Sequence, residues 1–282
     1  MTGAAAAGRT RPVRPAGTSG PGSGLVAGVH AEWTKLRTAP GTAWALLAVV
    51  AATAALGAAA DLAARCPQSG CRIDPARTAL TGIYLGQAIV VVLAAGSIGG
   101  EYGSGMITVT LAAMPRRTAA LAAKAVTITG PVLLAGAVAV AGSLLAGRVI
   151  LPGRGFTGAD GSPVLALGDP AVLRAAAGSV LYLGLIGLLS LGVTAVTRST
   201  AAGVGIVLGL LYVAPIITAV VAPGSLQRHL EQIAPMTAGL DVQATSGPGS
   251  LPLSPWAGLG VLGAWAAGAL LLGGLALRIR DA

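Results

Sequence analysis

The sequence predicts an all-α membrane protein. Six transmembrane helices follow an N-terminal amphipathic interfacial helix, and a short cytoplasmic helix joins the second span to the third. Three observations predict this. Of 282 residues, 54% are hydrophobic and only 10% are charged, whereas a soluble domain carries about 25% charged residues. Mean hydropathy is +0.80. The apolar residues come in blocks of about 20, the length that crosses a hydrocarbon core of about 30 Å. So few charges cannot coat a globule in water, which argues against a soluble enzyme.

Residues 1–24 are rich in Gly, Ala, Pro, Ser and Thr and carry Arg9, Arg11 and Arg14. This composition predicts a disordered basic cytoplasmic tail. No apolar stretch follows the arginines directly, unlike a cleaved signal peptide. Residues 25–40 form the amphipathic interfacial helix. Leu25, Val29, Trp33 and Leu36 share one face, and His30, Glu32, Lys35 and Arg37 lie largely on the other. Such a helix lies in the membrane surface, with Trp33 at headgroup level and Lys35 and Arg37 near anionic lipid. Pro40-Gly41 ends it. The remaining residues, 41–282, form one six-helix domain with spans expected at about 42–60, 79–99, 119–147, 174–196, 201–221 and 256–277. Pro131 and Pro215 predict breaks in the third and fifth spans, which membrane helices tolerate when neighbours satisfy the freed backbone groups.

Orientation follows from Lys and Arg. With the N-terminus inside, the tail arginines, Lys35, Arg37, Arg116, Arg117, Lys124, Arg198, Arg278 and Arg280 are cytoplasmic, a moderate excess over the outer loops. The C-terminus is then also cytoplasmic. The net charge of +9 is topological on this reading, because nucleic-acid binding would need a concentrated basic patch with stacking aromatics. Cys66 and Cys71, in Cys-Pro-Gln-Ser-Gly-Cys, fall in the first outer loop. The spacing permits a disulfide in an oxidising compartment, with free thiols as the alternative. A zinc site would need two more ligands, and no His is near. In the last outer loop, Leu226, Leu230, Ile233 and Leu240 predict a short helix over the bundle.

Catalytic patterns are missing from the sequence. It has no Gly-x-x-x-x-Gly-Lys-Ser/Thr phosphate loop. His30 and His229 fall on opposite sides of the expected membrane, so they cannot share a metal or serve one nucleophile. The expected spans hold no acid of the kind proton-coupled transporters use. The small-residue spacings Gly205-x-x-x-Gly209 and Gly260-x-x-x-Ala264-x-x-x-Gly268 are candidate helix contacts.

The most informative stretch is 99–124, between the second and third spans. Glu101 is read as the start of a new helix, where an acid suits the N-terminal dipole. Ile107, Leu111 and Met114 give that helix an apolar face, Pro115 stops it, and Arg116-Arg117 mark the return to the membrane. On periodicity alone, a lipid-lying connector and a docking element both remain open.

Glu101, Tyr102, Gly105, Leu111, Pro115, Arg116, Arg117 and Lys124 together resemble the cytoplasmic loop of type-2 ABC transporter permeases. Ala31-Glu32-Trp33-Thr34-Lys35-Leu36-Arg37-Thr38 before the first span is similar to the start of bacterial members, and Ala234-Pro235-Met236 near the last outer loop agrees. The resemblance implies a permease subunit of an exporter in a bacterial plasma membrane. It implies a homodimer paired with separate ABC ATP-binding subunits. The loop around 101–117 would be the coupling helix, and ATP would bind the partner, leaving this chain without catalysis or cofactor. The contrasting readings are a polytopic membrane enzyme acting on lipid or peptide, and a non-transporting membrane assembly protein.

Overall fold

In the computed structural model, six helices are long and apolar enough to cross a membrane. The structure describes residues 21–66, 73–113, 117–156, 165–166, 168–221, 224–246 and 253–280, and among them no strand occurs. The expected tail up to residue 20, together with Cys71, Met114, Pro115 and Arg116, lies outside the described residues. Helix α1 runs Pro21–Thr38, so it begins ahead of the expected boundary. Ala39 is extended, as a residue before proline prefers, and α2 (Pro40–Ala63) opens with Pro40 in its first turn. The second span joins α3 (Pro75–Ala79) through a 3₁₀ turn to α4 (Ile83–Gly103). Then come α5 (Met106–Ala113), α6 (Arg117–Ile150) and α7 (Pro170–Thr197). The fifth span is α8 (Thr200–Leu208), a π-helical turn at Gly209–Val213, and α9 (Ala214–Val221). The short helices α10 (Gly224–Ile233) and α11 (Pro235–Leu240) lead to α12 (Pro255–Arg280).

Helix starts sit several residues ahead of the apolar windows, for a local reason. Asp74 caps α3 by accepting from the Ala76 and Arg77 amides, with Pro75 in the first turn. Asp169 caps α7 in the same way ahead of Pro170. An aspartate that satisfies free amides, followed by a proline that has none to satisfy, starts a helix before its apolar face begins. The two internal prolines behave differently. α6 continues helical through Pro131. Pro215 clashes with the carbonyl one turn earlier, at Leu211, and the wider π turn lies there. The Thr197–Thr200 link is the tight turn its sequence suggests, with Arg198 left-handed at φ 56° and Ser199 capping α8.

α4 and α7 lie at the centre, and their Val90, Val91, Leu183 and Ile186 are fully buried. α2 and the fifth span are peripheral and turn Trp44, Leu47, Ile216 and Val220 outward. Lipid is as apolar as these side chains, so helix association rests on close packing and buried hydrogen bonds. The broadest contact is α7 on α12. There a Cβ on Gly192 would overlap the backbone of Ala269 and Leu270. The glycines singled out by spacing, Gly205, Gly209, Gly260 and Gly268, instead face open space. Buried polar groups pair across helices. The Tyr182 hydroxyl donates to Gln87 Oε1, and Gln87 Nε2 donates to Met236 Sδ at 3.4 Å.

The end of the bundle opposite α5 has its own polar clamp. Besides capping α3, the Asp74 carboxylate accepts from the Thr245 hydroxyl at 2.7 Å and from the Thr245 and Ser246 amides at 2.6 and 2.9 Å. Burial alone would raise its pKa, but these donors hold it below the ordinary value. Arg77 bonds Asp241 at 2.9 Å nearby. Cys66 is disulfide-bonded, and its amide donates to the Arg154 carbonyl at 3.0 Å. The expectation that no acid lies within a span needs correction. α2 extends through Ala63 and encloses Asp61, which is fully buried against Gly147 with neither carboxylate oxygen hydrogen-bonded.

Gly192→Val should destabilise the α7–α12 seam by about 1–3 kcal/mol through overpacking. Gly205→Ala, in open space, should not lower stability. Thermal unfolding in detergent, followed by tryptophan fluorescence, checks both.

Candidate functional site

Two glutamates and two lysines meet where α1, α4, α5 and α6 converge. α1 packs along α6 and turns Glu32 inward, where it is 4% exposed. Lys124 from α6 is 5% exposed and Glu101 from α4 is 8% exposed. Lys35, one turn after Glu32, is half-buried. Lys124 Nζ lies 2.6 Å from Glu32 Oε2 and 3.0 Å from Glu101 Oε1, and donates to the Ser97 carbonyl at 3.1 Å. Lys35 Nζ lies 2.9 Å from Glu32 Oε1 and 2.9 Å from Glu101 Oε1, and donates to the Thr110 hydroxyl of α5 at 3.4 Å.

Lysine suits this geometry. An ammonium has three donors around one small charge. Each ammonium here spans both carboxylates and places its third donor on a further oxygen, the Ser97 carbonyl for Lys124 and the Thr110 hydroxyl for Lys35. The planar fork of arginine would not reproduce that convergence. The charges balance, two against two, as burial requires. Burial by itself would raise Glu32, but Lys124 and then Lys35 hold its carboxyl below the ordinary value. Burial by itself would lower Lys35, but Glu32 and Glu101 keep it above the ordinary value. A cavity of about 420 Å³ adjoins the cluster, between Leu36 and Thr42 on one side and Ile89 and Thr127 on the other.

The other sequence-predicted residues lie around this joint. Glu101 does not begin a helix. α4 runs on to Gly103, which puts the acid in a C-terminal turn where the dipole disfavours it, and the two lysines offset that. The turn comes at Ser104-Gly105, with Gly105 at φ 72°, a conformation glycine adopts without cost. The new element starts at Met106. Along α5, Thr110 is buried against the cluster, Ile107 and Leu111 are half-buried, and Val109 is 69% exposed. Tyr102 sits under Arg198, whose Cζ is 5.6 Å from the ring centroid, tying α4 to the α7–α8 turn. Arg117 is half-buried and donates to the Leu277 carbonyl at 2.8 Å.

On α1 the expected faces are partly exchanged. Glu32 points into the protein and Trp33 points out, while Leu36 packs on the core and Arg37 is exposed. Sequence reasoning placed Glu32 and Lys35 at the lipid surface and missed that they meet Glu101 and Lys124. One signal was present: Lys35 and Lys124 are the only lysines in a chain whose other basic residues are all arginine.

The arrangement is a structural joint. Among the described residues no three His, Cys, Asp or Glu side chains converge on a metal position. No family model matches the chain, and no curated protein shows significant similarity to it.

Lys124→Met should destabilise the protein by about 3–5 kcal/mol, because it strands a buried carboxylate. Lys124→Arg should recover only part of that loss. Chemical unfolding in mixed micelles measures both. The pH dependence has two limbs. Glu32 is depressed on folding, so its contribution is present above the ordinary 4.5 and lost as pH falls through its lower folded value. Lys35 is raised, so its contribution holds below the ordinary 10.5 and is lost as pH rises through its higher folded value. The stability difference between wild type and Glu32→Gln should therefore be flat between pH 4.5 and 10.5 and shrink on acidification below that window.

Proposed function

We propose that this chain is the transmembrane permease subunit of an ABC transporter, an exporter of a bacterial plasma membrane with both termini cytoplasmic. The supporting observation is the locked joint between α4, α5, α6 and α1. Glu101 and Lys124 close the bend from within, while Thr110 fastens α5 to Lys35. α5 keeps Met106 and Val109 exposed on its outer side. A short helix with a free apolar side, braced against two spans and a surface helix, transmits a push to both spans at once.

On this reading a separate ATP-binding subunit receives α5, binds ATP and hydrolyses it. Closure of the ATPase pair moves α5, and the spans of two permease copies switch access to the path between them. Nucleotide drives the switch by binding one state more tightly than the other. Glu101 acts by holding α5 in place rather than by touching the ATPase, because it is buried within its own chain.

Affinity purification of the full chain from its native membrane tests the proposal. An ATP-hydrolysing subunit should co-elute, and Val109→Asp should abolish co-elution while the chain still inserts and melts normally. Failure of any ATPase to co-elute would overturn the proposal. So would nucleotide hydrolysis by the isolated chain, or labelling of Ser104→Cys in intact cells by an impermeant maleimide.

A further inference from the structure

A second feature lies on the far side of α6, away from the ion cluster. A groove of about 890 Å³ runs between α6, α7 and α12. Its walls are apolar along most of its length, with Val126 on α6, Leu188 on α7, and Leu271 and Gly274 on α12. Val126 and Leu271 are 57% and 69% exposed, so the groove is open sideways. It reaches from Thr118 to Gly130 along α6, a rise of about 18 Å at about 1.5 Å per residue. That is close to the depth of one leaflet, about 15 Å, half of a core of about 30 Å.

One end of the groove is charged. Arg278 closes it on the α5 side of the molecule and forms no ion pair among the described residues. Arg117 sits at the same rim, with Nη1 on the Leu277 carbonyl. Among the described residues no acidic side chain lines the groove. An apolar channel one leaflet deep, with a cation at its interfacial end, matches a molecule with a long alkyl chain and an anionic head.

We propose that this groove binds one anionic phospholipid from the leaflet that holds α1, with an acyl chain along Val126 and Leu271 and the phosphate on Arg278. The fit is of length and charge together. A zwitterionic lipid fills the same channel but brings its own cation to Arg278, which weakens the charge-assisted contact. The site is independent of the ATPase reading and requires only that the six helices span a bilayer.

Native mass spectrometry of the purified full chain, titrated with dioleoyl phosphatidylglycerol or dioleoyl phosphatidylcholine, tests it. Wild type should retain one phosphatidylglycerol with roughly tenfold preference, the size expected of one charge-assisted hydrogen bond. Arg278→Gln should bring the two lipids level, and Arg278→Lys should restore part of the preference. Gly130→Leu should reduce retention of both, because a side chain there enters the groove from a position with nothing within 4 Å. Its unchanged melting temperature would show that the fold survives. Equal retention of the two lipids by wild type would overturn the proposal, as would an unaltered preference in Arg278→Gln. A Gly130→Leu effect on dimer abundance with lipid retention intact would assign the groove to a second copy of the chain instead.

Discussion

Four side chains carrying two positive and two negative charges hold the α5 end of this molecule together. Each charge is costly to remove from water, and each is tolerated because the other three are present. Their geometry decides features that apolar packing leaves open. It sets which face of α1 turns inward, how far α4 extends before it bends, and where α5 rests. Without Lys124, the carboxylates of Glu32 and Glu101 would share only the half-exposed Lys35, and α1 would lose its strongest reason to lie on α6.

The opposite end is held differently. Asp74 gathers amides and a hydroxyl from its own helix start and from the segment after α11, and Arg77 reaches Asp241. Between the two polar ends, α7 is in contact with α4, α6, α8 and α12, and close glycine contacts replace the hydrophobic drive that lipid removes. The body therefore has a closely packed centre and ion-paired ends. In the proposed reading that division suits a gate, because a push at α5 meets a rigid joint before it reaches the spans.

Much of the fold was legible in the sequence, because a bilayer leaves few options to a run of about 20 apolar residues. The helix starts at Pro75 and Pro170 were less legible, since a polar Asp-Pro pair lies outside any hydropathy window yet begins a helix. The candidate site was legible in membership and illegible in arrangement. Glu32, Lys35, Glu101 and Lys124 all stand out in the sequence, but an acid directly after a membrane span reads as a helix start, because acids favour N-termini. Its real partners are 66 and 23 positions away in the chain, and periodicity carries no information over such separations. The inward turn of Glu32 was hidden for the same reason. An amphipathic pattern places a glutamate in water unless a buried cation waits for it, and that cation belongs to a different span.

That separation has a consequence for how the molecule is made. Glu32 leaves the ribosome 92 residues ahead of Lys124. At roughly 5–20 residues per second, the interval is about 5 to 20 seconds. Throughout that interval α1 has no counter-ion from the third span. The earliest of the described helices thus docks only once the third span has arrived, and its docking certifies that the chain through α6 has been inserted.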